Sequence, residues 1–103
     1  MRYEIIFAPQ AKNDLSDLKA TVRSAVRDAI EAHLRHEPTK VSKSRIKRLR
    51  GMVQPQFRLR VRDVRVFYDV TGSNVEILAI VKKSAAQVWL RKAGKRDEGS
   101  PSV

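Results

Sequence analysis

An α+β domain with elements in the order βααβββα is the fold class this sequence predicts, on three observations. Apolar and polar residues alternate over 57–62 and again over 64–70, the period of a half-buried strand. Between 11 and 34 the apolar residues recur instead at the spacing of an amphipathic helix. Turn-forming residues, Thr71-Gly72-Ser73-Asn74 foremost, punctuate the runs. The expected architecture is a helical hairpin packed on one face of a small, mainly antiparallel sheet, with a short C-terminal helix. A chain of 103 residues has room for one core, so 1–93 reads as a single domain and 94–103 as a polar, flexible tail.

Residues 2–8 read as the first strand, with Tyr3, Ile5 and Phe7 on one face. Pro9 suits the opening position of a helix, where its missing N–H costs nothing. Ala11, Leu15 and Leu18 form that helix's apolar stripe, and Lys12, Asp14, Asp17 and Lys19 are expected to face water. Thr21 is the expected N-cap of a second helix, striped by Val22, Ala25, Val26, Ala29, Ile30 and Leu34 and stopped by Pro38. A basic connection over 39–56 follows, with Gly51 as its turn signal. Residues 56–62 and 64–70 make two strands turning at Arg62-Asp63. Residues 75–82, apolar on both faces, make a central or covered one. Ser84 is the expected N-cap of a last helix that ends at Gly94.

Composition removes several function classes. The longest apolar run, 77–81, is strand-sized and far from the roughly 18 residues of a membrane-spanning helix. Glu4 and Pro9 interrupt the apolar N-terminus, which therefore does not read as a signal peptide. Zero cysteines exclude a disulfide framework, a thiolate metal site and a cysteine nucleophile. The expectation is a cytoplasmic protein with no metal, no cofactor and no membrane partner.

Charge is segregated along the chain. Six basic and six acidic residues balance over 1–39, whereas 40–96 holds sixteen basic residues against Asp63, Asp69 and Glu76. Such a concentration attracts polyanions, nucleic acid above all, and equally admits an acidic protein that covers it. Alternation then decides which cations share a face. With Phe57, Leu59 and Val61 under the helices, Arg58, Arg60 and Arg62 are expected on the opposite face. Arg65 joins them from the next strand, beside the aromatic plane of Phe67. Crowded guanidiniums suit phosphate, which each can clamp through two parallel N–H donors. The same row also serves a bland purpose, protecting a hairpin edge from aggregation.

The stretches Arg48-Leu49-Arg50-Gly51, Phe57-Arg58-Leu59-Arg60-Val61 and Asp63-Val64-Arg65-Val66-Phe67-Tyr68-Asp69 resemble the central signature of the RelE/ParE superfamily, the toxin halves of bacterial type II toxin–antitoxin pairs. With Val81-Lys82-Lys83 the resemblance spans about 2–93 and is closer to the RelE branch. It implies a ribosome-dependent endoribonuclease that cuts messenger RNA in the A site, using the RNA's own 2′-hydroxyl as nucleophile. The implied catalytic residues are Arg58, Arg60, Arg65 and Lys83. Lys43, Arg45, Lys47, Arg48, Arg50, Arg62, Lys82 and Trp89 are the expected RNA-binding residues. The resemblance also implies an antitoxin partner whose disordered segment folds around the toxin.

One position departs from the pattern. RelE-like nucleases usually carry a tyrosine, taken as the base, where this chain has Trp89. An indole cannot accept a proton in that way. It can stack on a nucleobase, or it can anchor the last helix. Asp63, Asp69 and Tyr68 are the possible substitute bases, while His33 and His36 fall on the second helix and read as surface residues. The same departure keeps open a ParE-like, non-enzymatic inhibitor of DNA gyrase, or an RNA-binding module without cleavage.

Overall fold

The computed structural model describes residues 1–97. Strand β1 is Glu4–Phe7, and helix α1, Pro9–Asp17, opens on Pro9 as expected. Helix α2 is Ala20–Leu34. Ala11, Leu15, Val26, Ile30 and Leu34 form the buried stripe of the hairpin. Thr21 does not cap α2: the helix begins one residue earlier, Lys19 occupies the cap position, and no side chain bonds there. The tight corner is closed by Arg23, which donates Nε to the Leu15 carbonyl (3.2 Å) and Nη2 to those of Ser16 (3.2 Å) and Leu18 (2.8 Å). The Leu15 carbonyl also accepts the Leu18 N–H (3.3 Å), so Arg23 shares it and adds a donor at the Ser16 and Leu18 carbonyls where α1 ends.

Five further strands follow: β2 (Ile46–Arg48), β3 (Met52–Gln54), β4 (Phe57–Val61), β5 (Val64–Thr71) and β6 (Asn74–Lys82). A 3₁₀ turn, Lys83–Ala85, leads into α3, Ala86–Ala93, and β7, Lys95–Arg96, closes the described chain. The main sheet has the order β1-β6-β5-β4-β2, with β1 parallel to β6 and the remaining pairs antiparallel. The α+β class and the mainly antiparallel sheet are those the alternation predicts. The basic connection is not all loop, however. Ile46–Arg48 pairs with β4, and Met52–Gln54 pairs with β7 in a separate two-stranded sheet.

Alternation sorts the sheet into two faces. Leu59, Val61, Val64, Val66, Tyr68, Val75, Ile77 and Ile80 turn towards the hairpin and form the core with it. Parallel pairing of β1 stops at Ile77, which leaves the Ile80 N–H outside that ladder. Asp14, expected to face water, accepts this N–H at 2.9 Å and ties α1 to the sheet. On the other face lie Phe67, 1% exposed, and fully buried Ala79, opposite one another in register. Helix α3 covers them, its Trp89 ring stacked on Phe67 with centroids 5.0 Å apart and planes 11° from parallel. Ser84 is not the cap of α3, because the 3₁₀ turn delays the helix to Ala86.

Gly94 ends α3, and its amide donates to the Leu90 carbonyl (3.0 Å). A Cβ there would collide with the Met52 side chain and the Leu90 carbonyl oxygen, so the position requires glycine for space. The segment expected as a free tail thus starts as an anchored one. Lys95–Arg96 pairs with β3, and the Asp97 amide donates to the Gly51 carbonyl (2.8 Å). Residues 98–103 of that expected tail lie outside the described residues.

Candidate nucleic-acid interface

The face opposite the hairpin gathers the arginines that alternation assigns to it. Arg60 of β4 stands directly opposite Arg65 of β5, and Arg58 directly opposite Phe67. Lys47 of β2 faces Arg58 from the other side. Cβ atoms of such cross-strand neighbours lie about 5 Å apart, and like charges so placed destabilise a sheet. Among the described residues none of these cations is in a close ion pair, and the opposing charge on Arg65 comes from Asp63. The ion pairs Arg35–Glu31 and Lys40–Glu37 belong to α2 and the loop after it.

Arg65 is the most enclosed of the set, only 6% exposed. Its Nη1 donates to the carbonyls of Arg62 and Val64, each at 3.0 Å, which fixes the guanidinium against the base of the turn. Burial first, then the charge of Arg60, pulls its pKa below the ordinary guanidinium value, against the attraction of Asp63. Arg58 is half-buried. Its Nη2 donates to the Ser44 carbonyl at 3.2 Å, and its buried Nε has no hydrogen-bond partner among the described residues. Burial again leads the downward shift, followed by Arg65 and then Arg60. A guanidinium starts so far above neutrality that both stay charged. Burial and neighbouring like charge lead both shifts, as expected for a positive, poorly solvated site.

Lys83 lies at the same end of the sheet. Its backbone N–H donates to the Asp63 carbonyl (2.8 Å), locking the start of the 3₁₀ turn onto the hairpin that carries Arg65. Asp63, Lys82, Lys83 and Ser84 line a shallow hollow there.

Other expected RNA-binding residues divide by position. Lys43 and Arg45 are exposed in the loop before β2, and Arg50 is exposed beside Gly51. Arg48 is committed elsewhere: it pairs in register with Phe57, lies 5.4 Å over that ring, and donates Nη1 to the Leu49 (3.1 Å) and Gln56 (2.8 Å) carbonyls. Arg62 does not extend the row on the open face. It occupies the hairpin turn at φ +55°, where the strand has already ended. Lys82 pairs with Val64 and so belongs in register to the helix side, at the sheet's rim.

Two of the three substitute bases are ruled out by their surroundings. The Tyr68 hydroxyl donates to the Pro38 carbonyl at 2.6 Å within the core, on the wrong face, and burial pushes its pKa far up. Asp69, 8% exposed, accepts the Gln54 Nε2 (2.8 Å) and the Gln56 amide (2.7 Å). Both oxygens are therefore occupied, at the Gln56 end of the strand. Asp63 remains as an exposed carboxylate beside Arg65. His33 sits on α2 near Arg45, and the His36 Nδ1 lies 3.3 Å from the Met1 carbonyl; neither reaches the arginine face.

Sequence reasoning did not find the Gln54–Asp69–Gln56 clamp, nor the basic group Arg91, Lys92, Lys95 and Arg96 that β7 holds in place. The second had a signal, since these four residues supply a quarter of the sixteen cations between 40 and 96.

The fold has known counterparts. Residues 5–86 match the ParE toxin family of type II toxin–antitoxin systems, parDE. The chain belongs to that family. Its fold is similar to the RelBE2 toxin–antitoxin complex of Mycobacterium tuberculosis, with TM-score 0.68 and 26% identity over 80% of this chain and 99% of that one. It is also similar to an Escherichia coli RelE mutant in the free state (TM-score 0.68, 22% identity, 86% and 92% covered). A third similar structure is the RelE–RelB complex of Pyrococcus horikoshii (0.61, 25%, 81% and 97%). No curated protein sequence matches. The toxin fold therefore sits in the RelE/ParE superfamily, as the arginine strands indicate. No helix among the described residues is long and apolar enough to cross a membrane.

Proposed function

We propose that this toxin cuts messenger RNA in the ribosomal A site, with its arginine face receiving the scissile phosphate. The observation that supports this reading is the grouping of Arg58, Arg60 and Arg65 on one sheet face, none of them in a close ion pair among the described residues. Attack of the 2′-oxygen on phosphorus forms one P–O bond and breaks the bond to the 5′-oxygen, leaving a cyclic phosphate and a 5′-hydroxyl. Negative charge builds on the non-bridging oxygens during that step. Fixed cations in a poorly solvated site stabilise it more than they stabilise the ground state. Arg65, held rigidly by two carbonyls, supplies preorganised charge. Half-buried Arg58 and exposed Arg60 bind the phosphate and its neighbour. Lys83 supplies the proton for the leaving 5′-oxygen, and Asp63 is the carboxylate best placed to take the 2′ proton. Lys47, Lys43, Arg45 and Arg50 extend the backbone track, and the half-buried Trp89 offers its outer face for base stacking.

Programmed ribosomes with purified toxin provide the test. Cleavage within the A-site codon is expected, reduced about 10²–10³-fold by Arg65→Ala, the scale for removing one preorganised donor. Intact messenger on active ribosomes rejects the reading. Inhibition of DNA gyrase is the second reading. The match to the ParE family and the indole at 89, stacked on Phe67 where a base is wanted, favour it. Loss of supercoiling activity with intact messenger would select it.

A cognate antitoxin is the expected protein partner, as in the toxin–antitoxin complexes of similar fold. A groove of about 790 Å³ between β1 and the hairpin suits an amphipathic segment. Ile5, Phe7, Leu15 and Ile30 form its apolar wall, and Lys12 and Arg27 its basic rim. To compete with RNA, the antitoxin must reach beyond this groove to the arginine face on the other side of the sheet. The complex is then expected to show no cleavage, and an active complex would contradict that competition.

A further inference from the structure

Arg58 is held from outside its own hairpin. Arg65 donates to carbonyls one and three residues away, within its own turn. The Arg58 side chain has one hydrogen bond among the described residues, from Nη2 to the Ser44 carbonyl 14 residues away. Its Nε is buried and finds no partner there. A guanidinium so held keeps its direction only while that carbonyl keeps its place.

The carbonyl belongs to a short turn. Residues 42–45, Ser-Lys-Ser-Arg, are exposed and lie in no helix or strand, so no ladder fixes them. Ser42 does. Its Oγ accepts the amides of Arg45 (3.0 Å) and Ile46 (3.2 Å), and its own amide donates to the Ile46 carbonyl (3.0 Å). Ile46 is anchored in turn: it is 3% exposed, opens β2 and stands in register with Leu59 of β4. A hydroxyl that accepts amides three and four residues on is a common loop device, and alone it would mean only an ordered loop. The destination of the turn's carbonyls gives it a further consequence. That of Ser44 accepts from the Arg58 side chain, and that of Arg45 accepts the Arg60 amide at 2.8 Å. Both meet β4 at the arginines of the open face.

We propose that Ser42 is a positioning residue for Arg58. Its hydroxyl closes the 42–46 turn and so holds the Ser44 carbonyl that aims the Arg58 guanidinium at the phosphate. This role rests on the nuclease reading, but the link from Ser42 to Arg58 can be measured without cleavage.

The test compares the full-length toxin with Ser42→Ala, Ser42→Thr, Arg58→Ala and the double variant Ser42→Ala/Arg58→Ala, each checked for folding by thermal midpoint. The first readout is the Nε–H proton resonance of Arg58, assigned by its absence from Arg58→Ala. It should exchange slowly with water in wild type and in Ser42→Thr, which keeps the hydroxyl. In Ser42→Ala exchange should rise roughly fivefold, the population change expected when a local opening loses one hydrogen bond. The second readout is A-site cleavage. Ser42→Ala should lower kcat by about 10–10²-fold with KM little changed, the scale for misplacing a group by ~1 Å. Without Arg58 the same substitution should change kcat by less than about twofold, because its effect runs through that side chain. An Arg58 resonance that exchanges equally in Ser42→Ala and wild type overturns the proposal. So does failure of Ser42→Thr to keep the slow exchange, or an equal loss of kcat with and without Arg58. Intact messenger with wild type rejects the nuclease reading instead, and the resonance still decides whether Ser42 holds Arg58.

Discussion

Arg60 and Arg65 stand opposite each other across β4 and β5, two cations on one face, neither in a close ion pair among the described residues. A sheet selected for stability alone would place an acid or a neutral residue at one of the two positions. Directly opposed like charges cost about 0.2–1 kcal/mol. Arg60→Gln is therefore expected to raise folding stability by about that amount while lowering cleavage. Urea unfolding midpoints read with an unchanged m-value check the first half, and the ribosome assay checks the second. A variant that loses both stability and activity would show that Arg60 is a structural residue.

Trp89 is the chain's single tryptophan, which makes its stacking on Phe67 observable on its own. Aromatic pairs contribute about 0.5–1.5 kcal/mol beyond area burial. Trp89→Phe should keep most of the stability, and Trp89→Ala should lose about 2–3 kcal/mol, less than a fully buried ring would. Single-stranded RNA that stacks on the outer indole face should quench the wild-type fluorescence. Unchanged emission at saturating RNA would leave Trp89 as an anchor of α3 and nothing more.

What can be read from the sequence follows from how local each signal is. The period of Phe57-Arg58-Leu59-Arg60-Val61 assigns faces before any tertiary contact is known, so the arginine grouping is legible there. The same period wrongly adds Arg62 to that row, because the alternation continues one residue into the turn, where φ is +55°. The short strands β2, β3 and β7 have too few residues for a period and exist only through their partners. Capping fails as a guide for a related reason. Thr21 and Ser84 are good cap residues, but α2 starts at Ala20, one residue before Thr21, and a 3₁₀ turn delays α3 to Ala86, past Ser84. The Asp69 clamp joins residues 13 and 15 apart in sequence, beyond any local pattern.

His33 predicts a pH response with a definite sign. Burial first, then the charge of Arg45, holds its imidazole below the usual value. Near pH 6.5 and just below, the unfolded chain binds the proton and the folded chain does not, so stability falls as pH falls through that window. Above it the contribution is complete. The urea midpoint should decline between about pH 7 and about pH 5, and less steeply in His33→Gln. Glu31, lowered chiefly by its hydrogen bond from Arg35, responds in the same direction but at pH below its usual 4.5. A decline unchanged in His33→Gln would assign the window to another group.

Asp69 links the main sheet to the small one. Its carboxylate accepts from Gln54 and Gln56, and Gln56 in turn accepts the Val70 amide at 2.9 Å through its side chain. Gln54 belongs to β3, on which β7 is paired. Removing the carboxylate leaves two part-buried donors without it, and hydrogen bonds to charged groups contribute about 1.5–3 kcal/mol. Asp69→Ala should therefore destabilise the fold by about that much, and Asp69→Asn, which keeps an acceptor, by roughly half. The local effect should exceed the global one, because β3 carries β7 while the core of β5 stays intact. Trypsin reports this directly, as Lys92, Lys95 and Arg96 are exposed cleavage points beside the pairing. Under native conditions Asp69→Ala should be cut there faster than wild type, with the remaining domain resistant. Equal rates at those bonds would mean that the clamp holds Gln56 alone and leaves the β3–β7 pair independent.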